Sequence, residues 1–467
     1  MAAPSIIEQS PLLSIVNILT PVGQDLIFVV SNQTVVANET RVKFVAEVYI
    51  GTSIAAVNPT ANTPIGTFKT TPNNAGVGMF DLRNVVENYV KADNMAFNQS
   101  KYKTTVTSDS VRHPIHLIDQ YSRNTNAVKF MLVRFSVEYL VGTSVVIDTS
   151  TRVNSDSFSI SNGYIKHTDI LTKSGNNFGY DDSERFFLSD STSEFLTNAP
   201  SIQYANLEDY GTIAFATAFN LDRIRLMYYD SNNTQIGSTQ TVSRTWTNGA
   251  FTTYALNSTY TIIYFGCFPG NLQNWSSVFQ GITSTIEGGY ITVQGIDVSS
   301  NPVTKLYTIK VNCPNGKGYE PIRLCWLNQW GAWDYYTFTQ KSIKSTSTSG
   351  ATYNQLAGTW NERLYRPDSY KGGKKAFRVN ATEKITMNSN FVAEDEAVMF
   401  EELVNSPEVY LLKGYEDIVE TSSVLNQYVT PVRLLTSSFT KKTIANDRLM
   451  QYTFEIEKSK TLRTQAV

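Results

Sequence analysis

The chain has 467 residues, with 39 Lys+Arg against 41 Asp+Glu and a formal charge of −2. That length allows two to four ordinary domains, and 41% hydrophobic with 12% aromatic residues supply enough apolar area to offset chain entropy, which excludes an intrinsically disordered chain. Near-balanced charge excludes a general electrostatic attraction to nucleic acid or anionic lipid, because both need an excess of clustered cations.

The first residues, MAAPSIIEQSPLLSIVNIL, have no basic n-region, carry Glu8 and lack a continuous apolar run, so neither a signal peptide nor a membrane span is expected. Period-two alternation then dominates. Residues 41–49 put Val42, Phe44, Ala46 and Val48 on one face, and 128–140 and 304–312 alternate in the same way. Residues 81–92 (DLRNVVENYVKA) instead space Leu82, Val85, Val86, Tyr89 and Val90 along one helical face, with Asp81 as N-cap. Asn248-Gly249 and Asn315-Gly316 mark hairpin turns, since this dipeptide tolerates positive φ. Residues 393–405 (AEDEAVMFEELVN) open with acids where the helix macrodipole favours them and stop before Pro407.

These signals predict a mainly β chain of tandem β-sandwiches (Ig-like or jelly-roll-like) with two short helices. The expected divisions are a sandwich over 1–145 with the helix 81–92 inserted, an all-β sandwich over 146–312, an aromatic hairpin and basic loop over 313–379, and an α+β unit over 380–467.

Catalytic and metal-binding signatures are sparse in this sequence. His113 and His116 sit in HPIH, where Pro114 disfavours helical geometry before it, so their spacing does not place them on one helical face as in HExxH. With Asp119 nearby a zinc site is an alternative to an ordered loop; His167 stands alone. No GxSxG, HExxH, Walker or GxGxxG fingerprint occurs. Asp181, Asp182 and Glu184 are the densest acidic cluster outside the 393–405 segment, and Asp230, Asn232 and Asn233 resemble half a calcium loop, but neither has EF-hand spacing. Seven Asn-x-Ser/Thr sequons, at Asn32, Asn38, Asn98, Asn232, Asn257, Asn274 and Asn380, match chance for so Asn- and Thr-rich a chain. Cys267, Cys313 and Cys325 are odd in number and lack CxxC spacing, which points to buried thiols in a protein made in a reducing cytoplasm. No metal, cofactor or catalytic residue is expected.

Two segments stand out as contact candidates. Trp326, Trp330, Trp333, Tyr335, Tyr336 and Phe338 crowd thirteen residues, the residue types of sugar-stacking surfaces and interface hot spots. Alternation divides them between two faces, so at least half are expected in the core. Farther on, Arg363, Arg366, Lys371, Lys374, Lys375 and Arg378 surround Gly372-Gly373 and interleave with Trp360, Tyr365 and Tyr370. This stretch reads either as a solvated loop or as a dock for an acidic partner.

As a set, PNNAGVGMFDLRNVVENYV, SEFLTNAPSIQY, IRLCWLNQWGAWDYYTF, FEELVNSPEVYLL and PVRLLTSSFTKKTIANDRLMQYTFEIE resemble structural proteins of tailed bacteriophages, particularly those of marine and Bacteroidetes-type hosts. The resemblance implies a non-enzymatic virion component of tail or baseplate type, made in the host cytoplasm. Its implied partners are other virion proteins and copies of itself, as a trimer or hexamer, with no nucleic acid and no membrane insertion. A head-attached fibre or decoration, or an appendage binding host surface glycan, is the alternative reading, and a glycan depolymerase using paired acids a third.

Overall fold

The computed structural model describes residues 4–9, 19–92, 115, 120–124, 126–164, 188–216, 221–243, 245–247, 253–255, 262–313, 318–358, 363–366, 370–393, 396–413, 429–440, 449–460 and 462–463. The fold is mainly β, with several sheets and few short helices. The chain divides into two units, one of residues 1–314, 327–335 and 414–425, the other of 315–326, 336–413 and 426–467.

The first unit holds two β-sandwiches. In the first, strands Ser5–Gln9, Ile27–Ser31 and Val77–Asp81 form one antiparallel sheet. The facing sheet runs Leu19–Pro21, Phe158–Ser161, Val128–Val141, Thr40–Gly51 and Gly66–Thr70, with Ser144–Asn154 also paired to Val128–Val141. Alternation drives the packing as expected: Val42, Phe44, Ala46 and Val48 all turn inward to meet Phe28, Val30 and Phe80. The rings of Phe28 and Phe80 lie 5.7 and 5.8 Å from that of Phe135, within the range of favourable tilted aromatic pairs.

The expected helix over 81–92 is shorter, an α-turn at Arg83–Val86 followed by a 3-10 turn at Glu87–Tyr89. Asp81 closes the preceding strand and still receives a helix N–H, that of Arg83 at 3.1 Å. A helix that the pattern did not announce, Gln33–Asn38, is capped by Asn32, whose Oδ1 accepts from the Val35 amide at 3.1 Å. Asn32→Ala is expected to lower stability by about 1 kcal/mol, read as an earlier urea midpoint at unchanged slope.

In the second sandwich, Ile202–Ala205, Tyr307–Val311, Tyr290–Ile296, Arg223–Tyr229 and Gln240–Ser243 form a five-stranded sheet over Thr212–Ala216, Ile262–Gly266 and Tyr121–Asn124. Phe195, Phe215, Phe265, Leu226, Tyr228 and Val293 fill the space between. Cys267 is buried there, and Cys325 is buried in its own strand, while Cys313 is exposed.

The expected cut near residue 145 is corrected by this topology. It falls inside Ser144–Asn154, which pairs with Val128–Val141, and Phe158–Ser161 joins the same sheet. Tyr121–Asn124, upstream of the cut, pairs instead with Ile262–Gly266 of the second sandwich. Hydrophobic alternation gives the face of a strand and says nothing of its partner, so linear cuts miss such exchanges.

The second unit is built on one large sheet in the order Ile322–Leu327, Val409–Leu412, Val429–Leu434, Thr453–Lys458, Gly373–Asn388 and Ile343–Gln355, with Leu462–Arg463 also on Gly373–Asn388. The Tyr336–Phe338 end of strand Trp333–Phe338 borders Ile322–Leu327, whose Arg323 donates from Nη1 to the Thr337 hydroxyl at 2.7 Å. Helix Ala397–Asn405, at the position expected from the acidic segment, buries Met399, Phe400 and Leu403. Phe400 is the hub of an aromatic core, with Tyr336, Phe454 and Tyr452 at ring distances of 4.9, 5.4 and 5.6 Å. Residue 379, the expected end of a basic loop, lies within Gly373–Asn388, so the stretch belongs to the sheet.

No helix among the described residues is long and apolar enough to cross a membrane.

Candidate functional site

The two contact candidates have opposite fates. The chain passes from the first unit to the second inside strand Trp333–Phe338, after Tyr335, and the aromatic hairpin is divided accordingly. Trp326, Trp333 and Tyr335 are buried, which corrects their candidacy as surface contacts. Apolar area this large is worth most inside. Tyr335 also satisfies its hydroxyl internally, donating to the Ile115 carbonyl at 3.0 Å and lying 3.1 Å from the Thr212 hydroxyl. Tyr336 is half-buried, its ring on Phe400 and its hydroxyl accepting from the Asn390 amide at 3.0 Å.

Trp330 is half-buried at the hairpin turn. Its amide and that of Ala332 donate to Asn328 Oδ1, each at 3.0 Å. Its indole N–H donates to Asn198 Oδ1 at 3.3 Å, and Asn328 Nδ2 donates to the Leu196 carbonyl at 2.9 Å. Gly331 makes the turn at φ +75°, and a Cβ there would lie 2.0 Å from the Asn162 carbonyl oxygen. Only glycine allows that approach. Asp334, fully buried beside these groups, accepts from the Thr197 hydroxyl at 2.5 Å. Burial pushes its carboxyl up to about 6, against the opposing hydrogen bonds from Thr197, Asn328 and the Asn198 backbone. The turn therefore locks onto the 195–199 and 162–164 segments of its own unit, and its role is structural.

The basic stretch forms the surface feature. Ile343–Gln355 pairs with Gly373–Asn388 along its whole length. Thr453–Lys458 supports only Lys384–Asn388, and Leu462–Arg463 only Asn380 and Ala381. Among the described residues, the rungs from Gly350↔Val379 to Gln355↔Gly373 have no third strand. They make a two-stranded arm roughly 20 Å long at about 3.3 Å per residue. A β-bulge sets Phe377 as the extra residue between Ala376 and Arg378, and its ring lies 6.3 Å from that of Tyr353.

The tip is shaped by Gly358 at φ +83°, where a Cβ would meet the Tyr365 ring at 2.2 Å. Around it, Leu356, Leu364, Tyr365, Tyr370 and Phe377 are exposed, Tyr370 by 72%. Arg363, Arg366, Lys374 and Arg378 are exposed among them, Lys375 is half-exposed and donates to the Tyr370 carbonyl at 3.1 Å, and the Lys371 ammonium sits 5.3 Å from the Tyr370 ring centre. Of the contact candidates, then, Tyr365, Arg366, Tyr370, Lys374 and Lys375 come together on this arm, while Trp360 lies outside the described residues. Residues 341–379 hold eight Lys or Arg against two Asp or Glu, an excess of six; with the whole chain at −2, the remainder carries −8.

His113, His116, Asp119, His167, Asp181, Asp182, Glu184 and both Asn-Gly pairs also lie outside the described residues. Asp230 closes an ordinary turn, accepting from the Asn232 and Thr234 amides at 2.8 Å each. Among the described residues no cluster of three or more His, Cys, Asp or Glu is placed to hold a metal ion.

No protein-family model and no curated protein matches the sequence. Among solved structures, the native conformation of E. coli alpha-2-macroglobulin aligns over 82% of this chain and 22% of that one, at 10% identity and a TM-score of 0.18. The periplasmic chaperone SfaE aligns over 63% of this chain and 95% of its own, at 9% identity and a TM-score of 0.11. Likeness at that level carries no argument about function.

Proposed function

We propose that this chain is a non-enzymatic structural subunit of a tailed-phage virion, of tail or baseplate type, that assembles in repeated copies through its β-arm. The arm carries the reading. A two-stranded ribbon is marginal in water by itself, and this one presents Leu356, Leu364, Tyr365, Tyr370 and Phe377 to solvent among cations. Such a surface gains most by covering its apolar side chains on a partner and placing its cations against carboxylates. The remainder of the chain, at −8, is a partner of the required sign, and a head-to-tail contact of arm on neighbouring body closes into a ring when its rotation allows.

Native mass spectrometry of the full chain across concentrations, paired with negative-stain imaging, tests this. A closed oligomer is expected, and the double variant Lys374→Glu with Arg378→Glu is expected to run as a monomer with an unchanged thermal transition. Raising salt from about 0.05 M to about 0.5 M should also loosen the oligomer, because the Debye length falls several-fold. A wild-type chain that stays monomeric at every concentration, or a double variant that assembles normally, would reject the arm as the assembling element.

A further inference from the structure

A second surface emerges only when the strands of the five-stranded sheet are laid in register. Ala205, Tyr307, Ile309, Val311, Ile291, Val293, Ile224, Leu226, Tyr228 and Val242 point into the sandwich core, so the alternate residues face outward. One outward row runs Tyr204, Lys310, Tyr290 and Tyr229 across four adjacent strands. At about 4.8 Å per strand it spans roughly 14 Å. Beside it lies a row of Ile202, Thr308, Thr292 and Met227, then Gln294 and Arg225, with Thr292 buried beneath its neighbours.

The outward positions of all five strands include Arg223, Arg225 and Lys310 and no carboxylate. Asp222, next to the face, is paired with Arg223 Nε at 3.0 Å, so the net positive charge of the face is that of Arg225 and Lys310. This face therefore favours an anionic ligand.

The way the rings are used narrows the class. Tyr229 and Tyr290 stack on each other at 4.7 Å and 14°, and the Lys310 ammonium lies 5.6 Å from the Tyr204 ring centre. A face of each tyrosine ring is thus already taken, as is unfavourable for nucleobases, which bind by stacking on open faces. What the row offers is ring edges, the Tyr204 and Tyr290 hydroxyls and an ammonium, flanked by the Thr308 hydroxyl; the Tyr229 hydroxyl turns to Met227 Sδ at 3.7 Å, and the Gln294 amide is used within the fold, accepting from Arg225 at 2.5 Å and donating to the Thr304 carbonyl at 3.3 Å. Edges and hydroxyls beside a cation suit a ligand with many hydroxyls and a carboxylate on each unit.

We infer that the outer face of this sheet binds an acidic polysaccharide, with Tyr204, Lys310, Tyr290 and Tyr229 as its central row. The site is separate from the arm and holds whether or not copies assemble.

Titration of the full-length chain with polygalacturonate oligomers, neutral dextran and oligothymidylate tests the assignment. Polygalacturonate is expected to bind and dextran not to. Lys310→Gln is expected to weaken polygalacturonate binding by about tenfold, the scale of one charge-assisted hydrogen bond. Tyr290→Phe keeps the stack with Tyr229 and removes one outward hydroxyl, and should weaken binding several-fold with an unchanged thermal transition. Absence of polygalacturonate binding, equal binding of dextran, oligothymidylate bound as tightly as polygalacturonate, or indifference to both variants would each overturn the site.

Discussion

Phe400→Ala is expected to cost about 3–5 kcal/mol, the range for deleting a fully buried phenylalanine, and to release the sheet of the second unit from its helix. Phe400 is completely buried on helix Ala397–Asn405 and meets Tyr336, Phe338, Tyr452 and Phe454, with ring centres between 4.9 and 6.2 Å. Those four rings come from the hairpin strand and the closing strand region, so one side chain joins segments far apart in sequence. An alanine leaves a void that rigid neighbouring rings refill poorly, and the lost contacts have no replacement. Hydrogen exchange checks the claim locally: amides of Thr453–Lys458 and of Lys384–Asn388, paired along this core, should lose protection together. Protection unchanged at those amides in the variant would contradict the hub role. Phe400→Leu keeps most of the volume and should lose about half as much or less.

The parts of this chain that declare themselves in sequence are those in which alternate apolar residues mark the core face, even where, as at Val45 and Tyr49 of Thr40–Gly51, residues of the other face are buried too. Thr40–Gly51 places Val42, Phe44, Ala46 and Val48 in the core as its alternation predicts. The arm was opaque because Ile343–Gln355 is exposed from Ile343 to Thr352; a ribbon wet on both faces has no apolar rhythm, and KSTSTSG reads as loop. Its basic and aromatic character was legible, its pairing was not. The hairpin aromatics show the converse. Trp326 and Trp330 are four residues apart and chemically alike, yet one is buried and the other half-buried at a glycine turn. Composition names both, and only packing separates them. The Tyr204, Lys310, Tyr290 and Tyr229 row was invisible for a further reason: it is written across four strands whose order depends on a parallel pairing of Ile202–Ala205 with Tyr307–Val311, which no local pattern encodes.

Asp334→Asn is expected to flatten part of the pH dependence of stability and to make the protein more stable at pH 8. The carboxyl titrates near 3.8 when unfolded and at about 6 in the folded chain, because burial opposes its charge. Between those values the folded state binds more protons than the unfolded one, so stability falls as pH rises through that window and stays lower above it. The deficit at neutral pH is on the order of 2–3 kcal/mol, from about 1.4 kcal/mol per unit. An asparagine still accepts from the Thr197 hydroxyl, which lies 2.5 Å from Asp334 Oδ1, and carries no charge to bury. Part of the gain is lost because Asp334 Oδ2 is buried without a hydrogen-bond partner among the described residues, so the new amide nitrogen is a buried donor left unsatisfied, leaving about 1 kcal/mol at pH 8 and no advantage near pH 4, where the wild-type carboxyl is protonated. Urea midpoints of both proteins at pH 4, 6 and 8 decide it. Curves that run parallel across that range would show that Asp334 titrates as it would in water, and that the Asn328 turn holds it in an environment far wetter than its burial implies.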